Sequence, residues 1–261
     1  MWGRKRRSLR NPRRRSAIAI AIAIAIAIAN RDDASDEAAA QQVYEADGIF
    51  MTGGDQKRLI ALTAAPASTR RCIAPCASAA PASGTSAGAS VMSEHMLFDG
   101  SRDILPQKSL VHLAAGLGFV RRVVIDQHFS ERQRLGRLLA IVAQHPYLLG
   151  AGIDEYTALV IEPSHGIEII GEGAVTLING CEMLSNYLDA ADKESLELFN
   201  VTLHLLPAGA HYRHDGGRTG ASASRDDVGA RPIPKTLVDL IGAVTATPDS
   251  GAQGRFQGAA S

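Results

Sequence analysis

Residues 17–29 alternate Ala and Ile without interruption, a period of two that would put every Ile on one face of a strand. Residues 31–47 are acidic and Ala-rich, with Asp and Ser available as a cap, and predict a helix. Gly48-Ile49-Phe50-Met51 is a short apolar run that ends in Thr52-Gly53-Gly54-Asp55-Gln56, the pattern of a strand entering a turn. Residues 57–62 start a second helix. The pattern then fails: residues 63–83 carry Ala, Ser and three prolines with neither a helical nor a strand period.

Order returns at Gly84. Val123-Val124-Ile125 predicts a β-branched strand. Ser130-Glu131-Arg132-Gln133 then has the form of a capping box, and Leu135, Leu138, Leu139 and Val142 fall on one helical face that His145-Pro146 terminates. Strands follow at 157–161, 166–170 and 174–177, with a last one at 201–206. Beyond Pro207 the composition of Gly, Ala, Ser, Asp and Arg predicts disorder. Residues 235–244 are the exception, since Leu237, Leu240, Ile241 and Val244 make a short helical stripe. The chain thus divides into a leader (1–30), a domain (31–207, atypical at 63–83) and a tail (208–261).

Composition adds little until it is read locally. The 261 residues carry no formal net charge, which removes the electrostatic footprint of a nucleic-acid binder. Residues 1–15, however, hold eight Arg or Lys and no acid. Followed by the Ala-Ile run, they imitate a secretory signal with Ala27-Ile28-Ala29 as its cleavage site. The competing reading is low-complexity sequence outside any fold, on an otherwise cytoplasmic protein. Thirteen apolar residues fall short of the ~20 that a spanning helix needs, so no stable membrane insertion is expected. Cys72, Cys76 and Cys181 make neither an even disulfide set nor a metal spacing, and read as free thiols; no metal or cofactor is expected.

Gly84-Thr85-Ser86-Ala87-Gly88 matches G-x-S-x-G, the turn that lifts a serine above a strand-to-helix junction. Bulk on either side would strike the crossing backbone, and Ala87-Gly88-Ala89-Ser90 supplies a small helix start. A serine nucleophile needs a base and a carboxylate to orient that base. Asp126-Gln127-His128 stands at the C-terminal end of a predicted strand, where open α/β sheets gather their sites. Asp154 and Glu155 follow a Gly-rich turn at 149–152. On an extended segment they point to opposite faces, so only one reaches His128. The order Ser, His, acid differs from that of an α/β-hydrolase.

Four segments together carry a resemblance: TGGDQ at 52–56, GTSAGASVMS at 84–93, VIDQHFSERQRLGRLLA at 124–140 and GIDE at 152–155. They resemble, in order and nearly in spacing, the signature segments of the cyanophycinase family, a peptidase E-like group of serine peptidases. The resemblance runs from about Asp33 to Pro207. It implies a three-layer α/β/α fold with a mostly parallel sheet, of the class I glutamine amidotransferase-like or flavodoxin-like kind. It also implies a metal-free exopeptidase that hydrolyses cyanophycin, a poly-aspartate with arginine on its side-chain carboxylates, to β-Asp-Arg dipeptides.

By position, the resemblance makes Ser86 the nucleophile, His128 the general base and Glu155 the orienting acid. The amides of Gly54 and Ala87 correspond to the oxyanion hole. Gln56, Asp126, Gln127, Arg132, Arg134 and Arg137 correspond to substrate-binding residues, and guanidinium forks suit a substrate rich in carboxylates. Without the resemblance, the three arginines would be the solvated face of a helix. Family members carry further βα units before the TGGDQ strand, and an apolar strand feeding the elbow where this chain has residues 63–83. The expected fold is therefore incomplete at its N-terminus. The sheet surface this leaves bare favours self-association as a homodimer. The rival to an active peptidase is an inactive remnant of the same family.

Overall fold

The computed structural model describes residues 24–63, 81–100, 105–163, 166–213 and 233–245. The basic run, most of the Ala-Ile leader, Cys72, Cys76 and most of the tail lie outside these residues. The helices are α1 (Glu37–Glu45), α2 (Gln56–Thr63), α3 (Ala87–Ser90), α4 (Leu135–Gln144) and α5 (Lys235–Thr245). The strands are β1 (Ile49–Met51), β2 (Ala82–Gly84), β3 (His95–Gly100), β4 (Val111–Ala115), β5 (Val123–Gln127), β6 (Leu149–Ile153) and β7 (Thr157–Glu162). They continue with β8 (Gly166–Gly171), β9 (Ala174–Asn179), β10 (Leu184–Ser185), β11 (Leu198–Phe199), β12 (Thr202–Pro207) and β13 (His211–Arg213).

The central sheet runs in the order β12-β9-β6-β5. β5 and β6 are parallel and in register from Val123↔Leu149 to Gln127↔Ile153. The chain therefore leaves both strands at the same edge, with His128 beside Asp154. β9 is antiparallel to β6, and β12 to β9. Among the described residues only β5–β6 and β1–β2 pair in parallel, so the pairing is mixed rather than mostly parallel. For β7 and β8 connection length decides: three residues join them, which suffices for a hairpin but not for a crossover.

Each face of the central sheet is covered differently. Val124 of β5 and Ile178 of β9 pack against Leu138, Ile141 and Val142 of α4, all five fully buried. Burial of such side chains is worth ~1.5–3 kcal/mol each. On the other face, Ile125, Ala151 and Leu177 share a cluster with Ile167 and Ile169 of β8 and with Leu237 of α5. That face thus meets a small antiparallel sheet, β13-β8-β7, as well as a helix.

Four expectations change. Residues 149–152 are not a Gly-rich turn but the buried strand β6. Its glycines make room for neighbours: a Cβ on Gly150 would lie 2.9 Å from Leu138, and one on Gly152 2.4 Å from the Phe129 ring. Ser130 and Gln133 form no capping box, because residues 129–134 are a turn and α4 begins at Leu135. Leu135 accordingly stands exposed, and the buried face is Leu138, Ile141 and Val142. The fold does not end at Pro207, since β13 and α5 lie beyond it and Leu237, Leu240 and Ile241 enter the core. Finally, residues 82–84 do form a strand, held by pairing with β1 although none of its positions is fully buried. Asp36 caps α1 by accepting from the Ala38 amide, as its sequence suggests.

Candidate functional site

The serine sits where backbone leaves no space for anything larger. A Cβ on Gly84 would lie 2.4 Å from the Gly88 carbonyl oxygen, and one on Gly88 2.2 Å from that of Met51. The Thr85 amide donates to the Met51 carbonyl at 3.0 Å, which closes the turn onto β1. Between them Ser86 is held at φ 52 and ψ −117, a backbone conformation that persists only when its surroundings fix it. Gly53 abuts the serine, since a Cβ there would be 3.3 Å from the Ser86 Cβ. Among the described residues, the amides of Gly54 and Ala87 donate to no acceptor.

His128 and Glu155 come from the β5–β6 edge. Ser86 Oγ lies 3.0 Å from His128 Nε2, and His128 Nδ1 lies 2.7 Å from Glu155 Oε1. A proton on Nδ1, donated to Glu155, leaves Nε2 to accept the serine hydroxyl. The imidazole is one-quarter exposed and the Glu155 side chain 37 % exposed. Asp154 points elsewhere: its Oδ1 accepts from the Ser130 amide and hydroxyl at 3.1 and 2.6 Å, and its Oδ2 from the Ala174 amide at 3.0 Å. Ser86, His128 and Glu155 are thus brought into one line, and Asp154 is excluded from it.

Behind this line runs a polar network. Asp126 is buried, and both its oxygens are engaged. Arg137 takes them as a fork, with its Nε donating to Oδ2 at 2.6 Å and its Nη2 donating to Oδ1. Arg134 Nη1 donates to Asp126 Oδ1 at 3.0 Å, to Gln127 Oε1 at 2.8 Å and to the Gln127 carbonyl. Gln127 in turn donates to Ser90 Oγ at 3.3 Å and to Gln56 Oε1 at 3.5 Å, while Gln56 Nε2 donates to the Leu97 carbonyl at 2.6 Å. Burial, and then the neighbouring Arg137 and Arg132 charges, hold the Arg134 guanidinium below its usual range, although Asp126 opposes them. Arg132 differs from its neighbours. It is exposed, and its guanidinium has no carboxylate partner among the described residues.

The expected residues are therefore sorted by the fold. Asp126 holds Arg134 and Arg137 in place instead of facing outward, and Gln56 and Gln127 join that scaffold to the elbow through Ser90. Sequence reasoning missed Ser90 Oγ, Glu131 and the role of Asp154. For Asp154 the signal was present in the alternation of residues 154 and 155. Glu131 was absorbed into a capping box that does not form.

Comparison with known proteins places the chain in a family. The model described as Peptidase family S51 matches residues 23–170. A cyanophycinase of Geminocystis herdmanii is 40% identical over 185 residues, covering 70% of this chain and 68% of its own length. A cyanophycinase of Trichormus variabilis is 39% identical over 169 residues, 63% of this chain and 56% of its own. One of Synechococcus elongatus is 38% identical over 185 residues, 70% of this chain and 58% of its own. The chain thus spans little more than half the length of two of these three relatives. A solved peptidase from an acI-B1 Actinobacterium superposes with a TM-score of 0.50 at 22% identity, over 72% of this chain and 68% of that one. That likeness speaks for the fold alone.

Proposed function

Since this chain belongs to peptidase family S51, we propose that it is a serine-type exopeptidase that releases β-Asp-Arg dipeptides from cyanophycin. The observation that carries the reading is the line from Ser86 Oγ through His128 to Glu155, at 3.0 and 2.7 Å, with the serine on a strained elbow. In the proposed reaction Ser86 Oγ attacks the scissile carbonyl carbon while its proton passes to His128 Nε2. Glu155 accepts the Nδ1–H and stabilises the imidazolium. The C–N bond then breaks, and the proton moves from Nε2 to the leaving amine. Water, deprotonated by the same imidazole, then attacks the acyl carbon; the bond to Ser86 Oγ breaks, and the imidazolium returns the proton to that oxygen. The Gly54 and Ala87 amides, which have no acceptor among the described residues, are the proposed donors to the tetrahedral oxyanion.

For binding, Arg132 is the proposed direct contact to a substrate carboxylate. Arg134 and Arg137, fixed by Asp126 and backed by Gln56 and Gln127, are the proposed basic wall behind it. Two guanidiniums against one carboxylate leave a net positive charge, which suits an acidic backbone. We assign the peptidase domain to residues 31–207 together with α5, whose apolar face enters the same core. The finer architecture proposed is a three-layer α/β/α sandwich with β5 and β6 in its parallel region. A cytoplasmic homodimer acting without a metal completes the reading. Among the described residues no helix is long and apolar enough to cross a membrane.

The test is dipeptide release from insoluble cyanophycin by the purified chain, with Ser86→Ala in parallel. Release by the unaltered chain alone is the expected outcome. No release from either protein overturns the reading and leaves the line of residues without turnover.

A further inference from the structure

The turn after β5 and the segment after β6 leave the sheet side by side, and two carboxylates cross between them in opposite directions. From the β6 side, Asp154 reaches over and takes the amide and hydroxyl of Ser130 at 3.1 and 2.6 Å. Its second oxygen takes the Ala174 amide at the start of β9, while its own amide donates to the Ala174 carbonyl at 3.2 Å. From the β5 side, Glu131 reaches back, and its Oε1 accepts the backbone amide of Glu155 itself at 3.1 Å. The 2.7 Å bond between His128 and Glu155 joins the same two segments.

The His128–Glu155 contact has little else to fix it. Both residues flank or occupy backbone in the left-handed region: His128 has φ 51, and Tyr156, which follows Glu155, has φ 52. Such conformations persist only where contacts over-determine them. Glu155 is partly exposed, and among the described residues its carboxylate meets only His128. Its position is set through its backbone instead. Glu131 holds its amide, and the Thr157 hydroxyl donates to its carbonyl at 3.0 Å. The ionisable groups of these two segments are His128, Glu131, Arg132 and Arg134 on one side, and Asp154, Glu155 and Tyr156 on the other.

We propose that Glu131 and Asp154 are positioning residues that clasp the two segments and thereby aim Glu155 at His128. Their role in turnover rests on the serine-peptidase reading above, but the clasp itself can be observed without turnover. An imidazole Nδ1–H held by a carboxylate gives a downfield proton resonance protected from exchange with water, and its loss in His128→Gln assigns it.

The decisive variants are Glu131→Ala and Glu131→Gln. Glu131 is exposed, so neither change threatens folding. Glu131→Ala is expected to broaden the protected resonance and lower kcat about tenfold with KM unchanged, the mark of misaimed groups rather than lost binding. Glu131→Gln keeps an acceptor oxygen, and is expected to retain the resonance and to stay within about twofold of the unaltered kcat. Asp154→Ala should act in the same direction and more strongly. If it does not fold, the Glu131 pair decides alone. A Glu131→Ala protein with the resonance and kcat intact overturns the clasp. If the unaltered chain releases no dipeptide, the functional reading fails separately, and the resonance in Glu131→Ala still judges the clasp.

Discussion

Ser86 stands at the end of β2, a three-residue strand in which no position is fully buried, whereas His128 and Glu155 follow β5 and β6, whose first four residues are all buried. The partner of β2 is no deeper, since Phe50 of β1 is 65% exposed. The two sides of the site are thus held by different means. His128 and Glu155 rest on a packed sheet backed by α4, and Ser86 rests on a fit of glycine against backbone. A well-placed group can therefore be secured by exclusion of alternatives as well as by depth of core.

Ser86→Ala makes the largest difference, because it removes the hydroxyl that faces His128 Nε2 across the site. Dipeptide release is expected to fall by at least about a thousandfold with the melting temperature unchanged. Asp126→Ala tests the deep side. It leaves Arg134 and Arg137 facing each other without a carboxylate, at a cost of about 3–5 kcal/mol in denaturant unfolding. Gly88→Val tests the shallow side. The new side chain meets the Met51 carbonyl, which is expected to cost about 1–3 kcal/mol and to remove activity out of proportion to that loss. Phe50→Ala, on the exposed face of β1, should stay within about 0.5 kcal/mol; a larger effect would show that the shallow side carries more of the fold than its exposure suggests.

The smallest expected effect is in pH. Burial, and then the nearby charge of His95, hold the His145 imidazole below its usual range at the end of α4. The folded chain therefore favours the neutral ring. That contribution is complete above the unfolded histidine value and is lost as pH falls through the lower folded one. Melting temperature should drop on acidification, and the drop should be shallower in His145→Gln.

The same contrast explains what could be read from the chain. β5 was legible because Val123, Val124 and Ile125 are β-branched and contiguous, and α5 because Leu237, Leu240 and Ile241 keep a helical period. β6 was hidden, since Gly150 and Gly152 signal a turn unless one knows that Leu138 and Phe129 occupy the vacated space. β2 was hidden too, because Ala82, Ser83 and Gly84 have no apolar pattern and are specified by their partner. Ser86 and His128 were visible in their local motifs, whereas the choice of Glu155 over Asp154 came only from the family resemblance. The scaffold behind these residues was not visible, because no local pattern reveals that Asp126 meets Arg137 eleven residues on.

The two glycines of β6 also set a mechanical tolerance. Phe129 is covalently next to His128, and its ring lies where a methyl group on residue 152 would have to be. Even an alanine there acts as a shim, lifting the ring and tilting the imidazole that precedes it on the chain. The setting of His128 therefore depends partly on the thickness of a neighbouring strand.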